Sequence, residues 1–417
     1  MKFTNERHLT YCTNIHAGER WEETFESIKK HAPSIKKRVS PQQPFGLGLR
    51  LSNTASNEIL KGDKLIGFKS WLNENGFYVF TLNGFPYGNF HHTVVKDRVH
   101  YPDWASQDRV IYTKQLFRIL SELLPEGMDG GVSTSPVSYS PWFNQQHEKL
   151  ESTYEQAAFN FAEIVKDLVL LKKDKGKTMH LDIEPEPDGL IESAEGMIEF
   201  FNKWLLPKGT EYLCAKTGIS FKEAREAIRE HVNVCYDVCH FAVGYEKPGT
   251  VFKMFEEEGI KIGKIQISSA LKLILHSNIE QRQNISQQLK PFAESTYLHQ
   301  VVEKNDNDML LHYTDLDIAL KHIEKDGARE WRIHYHVPVF MKQYNQLLST
   351  QEDILAVLEI LQTKQVTNHL EVETYTWEVL PKEEQLTLSD SISGELEWVI
   401  MNGEPAVNTG VGIKVTA

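Results

Sequence analysis

Met179-His-Leu-Asp-Ile-Glu184, Val232-Asn-Val-Cys-Tyr-Asp237, Gly263-Lys-Ile-Gln266 and Asn368-His-Leu-Glu-Val-Glu373 share one pattern, an alternating strand that ends in a polar residue. Side chains alternate faces along a strand, so Met179, Leu181 and Ile183 share one face while Asp182 and Glu184 share the other. The same parity sets Val232, Val234 and Tyr236 against Asp237, Ile265 against Gln266, and Leu370 and Val372 against Glu371 and Glu373. Three carboxylates and one amide near successive strand ends would converge at one mouth of a parallel barrel. That is the outline of a metal site.

Outside these four segments the chain alternates strand and helix signals. Leu9–His16 and Phe45–Leu51 read as strands, each followed by a helical stretch, from about Trp21 to Lys37 and from Glu58 to Asn73. Asn75-Gly76 breaks the chain before the strand Phe77–Asn83. The helix Gln107–Leu124 carries Leu116, Ile119, Leu120 and Leu123 near 3.6 spacing, and about 144–173 is the most helical window. Gly130–Ser135 is a weak fourth strand. Strand ends then fall near residues 16, 50, 83, 133, 184, 237, 266 and 373. Eight β/α units predict a (β/α)8 TIM barrel, and no GxGxxG follows any strand to support a dinucleotide fold.

The last interval is too long for one crossover, which predicts an insertion between strands seven and eight at roughly 270–340. Within it, Tyr297–Val302 and Met309–Tyr313 look like a hairpin around Asn305-Asp-Asn-Asp308. Arg332–Val337 looks like a ninth strand, in the insertion or in the barrel. Residues 1–417 form one domain on this reading, with 404–417 as a loose tail.

Composition restricts the setting. The 417 residues are 41% hydrophobic and 25% charged, and a barrel of roughly 250 residues leaves room for insertions. No stretch approaches the ~20 apolar residues of a membrane span, so no membrane insertion is expected. The N-terminus lacks an apolar signal region, and the four cysteines form no CxxC pair; a cytoplasmic protein is the simplest expectation. The net charge of −13 argues against nucleic acid as a partner.

Active sites of such barrels lie at the C-terminal mouth. Glu184, Asp237, Gln266 and Glu373 are the candidate ligands there, with hard oxygens suited to Mg²⁺ or Mn²⁺ and nearby imidazoles admitting Co²⁺ or Zn²⁺. One acidic strand end commonly pairs with Arg or Lys; four in succession would repel without a cation. His240, three residues past Asp237, is a candidate for holding a substrate hydroxyl or moving a proton, or else for orienting a carboxylate. The first three strand ends offer His16, Arg50 and Asn83 as substrate-binding groups. His334 and His336 share one face of Arg332–Val337, and His336 is the candidate to reach the mouth. Cys235 reads as a small buried hydrophobe. His91 and His92, with Phe85, Tyr87 and Trp104, sit in a long loop that would serve as a lid or simply pack down.

At these residues the chain resembles the xylose-isomerase-like sugar isomerases and epimerases. Those carry Glu, Asp, His and Glu on strands five to eight, with a further His just after the Asp. Glu184-Pro185 matches the family's Glu-Pro strand end, Asp237-Val-Cys-His240 its Asp-x-x-His, and Glu373 its final Glu; Gln266 departs from the usual His. A closer resemblance is to the EboE family of metabolite traffic proteins. It rests on Leu9–His16, Thr81-Leu-Asn-Gly-Phe-Pro-Tyr-Gly88, His180-Leu-Asp-Ile-Glu-Pro-Glu-Pro187, Cys235–His240 and Leu370-Glu-Val-Glu-Thr-Tyr-Thr-Trp377. That resemblance implies the barrel and a functional link to the other proteins of a small biosynthetic gene cluster.

The expected chemistry is metal-dependent isomerisation or epimerisation of a small polar metabolite: a sugar, polyol or cyclitol, free or phosphorylated. Glu184 and Glu373 would transfer the proton next to the carbonyl, with His240 assisting. Two other classes compete. A non-catalytic metabolite carrier would keep the site for binding. A phosphodiesterase of the endonuclease IV type would need a His-rich zinc cluster and a basic groove, for which the histidines near these strand ends look too few.

Overall fold

Apolar residues on one parity of each strand and polar residues on the other need two different surroundings, and the barrel supplies both. The computed structural model describes residues 1–3, 6–88, 94–293, 296–375 and 387–403. Strands β1 (His8–Tyr11), β2 (Phe45–Arg50), β3 (Phe77–Asn83), β4 (Gly130–Thr134), β5 (Met179–Ile183), β6 (Val232–Asp237) and β7 (Ile262–Ile267) follow one another along the chain. Between β7 and the last barrel strand come β8 (Ala270–Ile274), β9 (Val301–Asn305), β10 (Leu310–Tyr313), β11 (Ala328–His336), β12 (Gln343–Tyr344) and β13 (Leu347–Ser349). The barrel then ends with β14 (His369–Val372). The eight barrel strands run parallel in the order β1-β14-β7-β6-β5-β4-β3-β2. β1 meets β2 through the bridge Cys12–Gly48 and through the Thr10 hydroxyl, which donates to the Gly46 carbonyl at 2.7 Å and accepts from the Gly48 amide at 3.0 Å. The fold is therefore a near-closed (β/α)8 barrel.

The apolar parity faces the helices. Leu47, Leu49, Val79, Leu181, Ile183, Val234, Ile265, Leu370 and their neighbours are fully or almost fully buried there. Each such side chain contributes about 1.5–3 kcal/mol of burial free energy. The other parity points into the barrel, where most TIM barrels pack branched apolar residues. Here it holds charge. Lys264 donates to Glu371 Oε2 at 2.7 Å and to Ser133 Oγ at 3.0 Å, with both ionic side chains fully buried. Glycines make the room: a Cβ at Gly48 would come within 1.7 Å of Glu371 Oε1, and one at Gly263 within 2.0 Å of Asp182 Oδ1.

Helices Trp21–Val39, Gln107–Leu123 and His147–Lys175 lie where periodicity predicts them, while the second predicted helix is split into Asn53–Ile59 and Lys64–Asn75. The first strand is shorter than expected. It stops at Tyr11, and a 3₁₀ turn, Thr13–Ile15, ends the alternation there.

The segment from Ala270 to Ser349 forms a second, antiparallel sheet in the order β10-β9-β11-β8-β13-β12. Residues 332–336 lie in β11, paired to β8 and β9, and so belong to this sheet and not to the barrel. The β9–β10 turn closes through Asn305 Oδ1, which accepts from the amides of Asn307 and Met309. Only Ser268 and Ser269 separate β7 from β8. The end of β11 docks against this junction, with His336 beside Ala270 and the Val337 amide on the Ser269 carbonyl at 2.9 Å. That docking brings β11 to the C-terminal mouth of the barrel. Among the described residues no helix is long and apolar enough to cross a membrane. The predicted tail, 404–417, and His91 and His92 lie outside the described residues.

Candidate functional site

The ends of β5, β6 and β14 deliver Glu184, Asp237 and Glu373 to one point. A ligand oxygen from each lies within 4.8 Å of the others, and all three side chains are buried. Glu184 is held by its backbone, its amide donating to the Thr134 carbonyl at 3.0 Å. Asp237 caps the short helix Val238–Val243: Oδ1 accepts from the His240 amide at 3.2 Å and the Ser268 hydroxyl at 2.6 Å. Glu373 Oε1 accepts from the amides of Asn14 at 2.6 Å and Asn83 at 3.1 Å. Two oxygens, Glu184 Oε2 and Asp237 Oδ2, are buried without a hydrogen-bond partner among the described residues.

A second group adjoins the first and shares Asp237. One ligand atom each from Asp237, His240 and His336 lies within 4.8 Å of the others, and Glu186, His240 and His334 form a further such group. His240 Nδ1 lies 3.1 Å from the Pro185 carbonyl and His336 Nδ1 lies 2.8 Å from the Glu373 carbonyl. A carbonyl only accepts, so both rings carry their proton on Nδ1 and their lone pair on Nε2. This is the tautomer and the backbone anchoring common to metal-bound histidines. His334 Nδ1 is 2.9 Å from Gln300 Oε1, and His100 Nε2 is 3.0 Å from Glu186 Oε1.

Electrostatics follow from burial. Desolvation first, then the neighbouring charge of Asp237, pushes Glu184 well above the usual carboxylate range; burial, Glu184 and Asp237 do the same to Glu373. Burial likewise raises Glu186 and lowers His240 to about 4 and His100 to about 3. Asp237 is the exception. Burial works against its charge, yet His240 and His336, the Ser268 hydroxyl and the His240 amide hold it below the ordinary range. One ionised and two proton-seeking carboxylates share the site.

Several sequence candidates line one cavity: Asn83, Glu184, His240, His336 and Glu373, with Phe85 on its wall. Three do not. His16 lies beyond the 3₁₀ turn, hydrogen-bonded to the Tyr11 hydroxyl at 3.0 Å and stacked on His31, and Asn14 takes the position at the mouth. Arg50 turns aside to the Gly18, Pro86 and Gly88 carbonyls, fixing the loop after β3. Gln266 pairs in register with Glu371, two residues short of Glu373, and its Oε1 accepts from the Cys235 thiol at 3.1 Å. Trp104 packs on Phe161 and donates to Thr134. Sequence reasoning missed Asn14, His100 and Glu186, which also line the cavity. Glu186 shares the parity of Glu184 and was legible in that respect; His100 arrives from a 3₁₀ turn with no periodic signal.

No family model matches the sequence, and no curated protein is detectably similar to it. Among solved structures, the chain is similar to a xylose isomerase-like TIM barrel protein from Mycobacterium smegmatis in complex with magnesium. That match has 9% identity and a TM-score of 0.48 and covers 95% of this chain and 96% of the other. It is similar to the IolI protein with a bound zinc atom at 13% identity and a TM-score of 0.46, covering 95% and 98%. The probable 3-DHS dehydratase AsbF from Bacillus anthracis matches at 9% identity and a TM-score of 0.44, covering 95% and 100%. At these identities and scores the likeness concerns the course of the chain and says nothing of its chemistry.

Proposed function

We propose that this chain is a divalent-metal-dependent isomerase or epimerase, acting on the carbon next to the carbonyl of a small polyhydroxylated metabolite. The observation that carries the reading is the convergence of Glu184, Asp237 and Glu373, with two of their buried oxygens lacking partners. Carboxylates this close repel unless protons or a cation intervene. The donor set fits a cation: hard oxygens beside imidazole Nε2 atoms admit Mg²⁺, Mn²⁺, Co²⁺ or Zn²⁺. Glu184, Asp237 and Glu373 would hold it, with the His336 imidazole taking the part expected of Gln266. When bound, the ion would supply Lewis-acid polarisation of the substrate carbonyl.

The side chains supply the proton chemistry. Burial gives Glu184 and Glu373 a strong appetite for protons, which suits a pair that exchanges one near neutral pH. One of them takes the proton from the substrate carbon. The other returns a proton, to the opposite face for epimerisation or to the neighbouring carbon for isomerisation. Asn14 and Asn83 hold Glu373 in a fixed orientation, and the neutral His240 accepts from a substrate hydroxyl through Nε2. Glu186, kept protonated by burial, can donate to a substrate oxygen. The motif resemblance to the sugar isomerases and epimerases supports a sugar, polyol or cyclitol, free or phosphorylated; that to EboE proteins supports a small biosynthetic pathway and a functional link to the other proteins of its cluster.

The test is turnover of a panel of aldoses, ketoses, cyclitols and their phosphates, with Mn²⁺ or with EDTA. The expected result is conversion of one substrate class that needs metal and is lost in Glu184→Gln and in Glu373→Gln. Each variant should still bind the cation, because the amide keeps an oxygen. Full activity in either variant removes the two-glutamate transfer. A panel member that binds but is never converted establishes the carrier reading instead.

A further inference from the structure

The opposite, N-terminal end of the barrel carries a second constellation that the proposed reaction does not use. Asp129, just before β4, His180 on β5 and His369 on β14 each offer a ligand atom within 4.8 Å of the others. His180 Nε2 lies 3.7 Å from Asp129 Oδ2, and His369 Nε2 lies 3.5 Å from Asp129 Oδ1. These separations are too long for hydrogen bonds. Each imidazole faces a different oxygen of Asp129, at about the donor–donor spacing of a tetrahedral ion held at about 2.0–2.2 Å, the bond lengths of zinc to imidazole and carboxylate.

Two further observations point to a ligand here. His369 is fully buried, and neither of its ring nitrogens has a hydrogen-bond partner among the described residues. His180 Nδ1 is held at 2.6 Å by Asp182 Oδ1, which turns Nε2 toward Asp129; a carboxylate behind an imidazole is the arrangement that orients and strengthens a metal-binding histidine. The backbone is cut to fit that pair. A Cβ at Gly263 would meet His180 Nδ1 at 2.6 Å, and one at Gly131 would meet His180 Cε1 at 2.6 Å. Access exists as well, because Asp129, His180 and Asn233 line an open cavity of about 700 Å³ at this mouth.

We infer that Asp129, His180 and His369 form a second metal site, for Zn²⁺ or a cation of similar preference, with a water from the cavity in the fourth position. Two imidazoles and one carboxylate favour a transition metal over Mg²⁺ or Ca²⁺. The site would tie β5 to β14, three strands away around the barrel, across an interior that glycines leave open. Its role is a bolt at the stability end of the barrel, distinct from the chemistry at the other mouth.

The test is a Co²⁺ titration of the full chain stripped of metal, read by bound equivalents and by the strong visible absorption of four-coordinate cobalt. Wild type, Asp129→Ala, His369→Ala and Glu373→Gln are compared. The expected result is that Asp129→Ala and His369→Ala each lose one bound equivalent together with its absorption, whereas Glu373→Gln retains both. Zn²⁺ should displace the cobalt and raise the melting temperature of wild type by more than that of the two variants. Equal stoichiometry and spectra in wild type, Asp129→Ala and His369→Ala would overturn the site. Because His369 is fully buried its variant can fail to fold; Asp129 lies on the half-exposed rim, and an unchanged titration of Asp129→Ala alone is then enough to overturn it.

Discussion

Replacing Lys264 by Met should destabilise the barrel by about 3–5 kcal/mol, the cost of leaving one member of a buried ion pair uncompensated. The structure makes the upper half of that range the expectation. Lys264 and Glu371 are both fully buried, Glu371 Oε1 has no hydrogen-bond partner among the described residues, and Oε2 takes its hydrogen bond from Lys264. Without the ammonium the carboxylate is stranded inside the barrel, and the Ser133 hydroxyl loses its donor too. Adding Glu371→Gln removes the stranded charge while keeping the shape that Gly48 accommodates, so the double variant should recover at least about 2 kcal/mol of the loss. Equilibrium urea unfolding at pH 7 in EDTA reads both values free of metal linkage. A single-variant loss below about 1 kcal/mol, or no recovery in the double variant, would refute the account of the polar interior. Lys264 also opposes the upward shift of Glu184 and Glu373, so its loss should raise the proton affinity of both.

Other outcomes follow from the same geometry. Arg109, fully buried, donates to the Pro102, Gly84 and Phe85 carbonyls at 2.8–2.9 Å. Arg109→Met should therefore cost about 3 kcal/mol or more in urea unfolding, at 1–3 kcal/mol for each carbonyl left bare, and a loss under about 1 kcal/mol contradicts this. Cation binding at the mouth needs ionised carboxylates, while burial keeps Glu184 and Glu373 protonated above the usual range. Titration calorimetry in two buffers of different ionisation enthalpy at pH 7 should thus show about one proton released and affinity rising with pH; no release contradicts the shifts. Asn83→Ala removes one of two donors to Glu373 and should raise its proton affinity further, moving that release to higher pH. Burial holds Glu246, which accepts from the Ala194 amide, up at about 7. The folded state then binds its proton more tightly than the unfolded one, so stability falls as pH rises from about 4.5 to about 7, by at most about 3 kcal/mol. Glu246→Gln should flatten that slope, and an unchanged slope assigns it to other groups.

The barrel was legible because each strand carries two messages, an apolar parity for the helices and a polar parity for the interior. Glu184, Asp237 and Glu373 end strands with a clean alternation, and geometry brings them together. His16 failed for a local reason: the 3₁₀ turn at Thr13–Ile15 resets the parity, a change no period-2 pattern records. Arg50 has the right parity but a reach long enough to find backbone carbonyls instead of the cavity. Gln266 shows the limit of counting from strand ends. β7 runs one residue further, to Ile267, and the mouth-level hydroxyl that reaches Asp237 belongs to Ser268. An imidazole does reach the cavity, that of His336, which is delivered by β11 of the second sheet. The expectation that histidines near the mouth are few fails for the same reason, since His100, His334 and His336 all reach the cavity from outside the barrel strands. The acidic net charge remains the argument against a polyanionic substrate.

The central claim is that the mouth moves a proton at a carbon beside a carbonyl, and solvent-isotope exchange tests it most directly. The protein is incubated in D2O with Mn²⁺ and each α-hydroxy aldehyde or ketone of the panel, and deuterium at the α carbon is followed by NMR. The account predicts incorporation into one compound class, abolished by EDTA and by Glu184→Gln. Compounds that bind at this mouth yet take up no deuterium, or exchange that persists undiminished in Glu184→Gln, would contradict it.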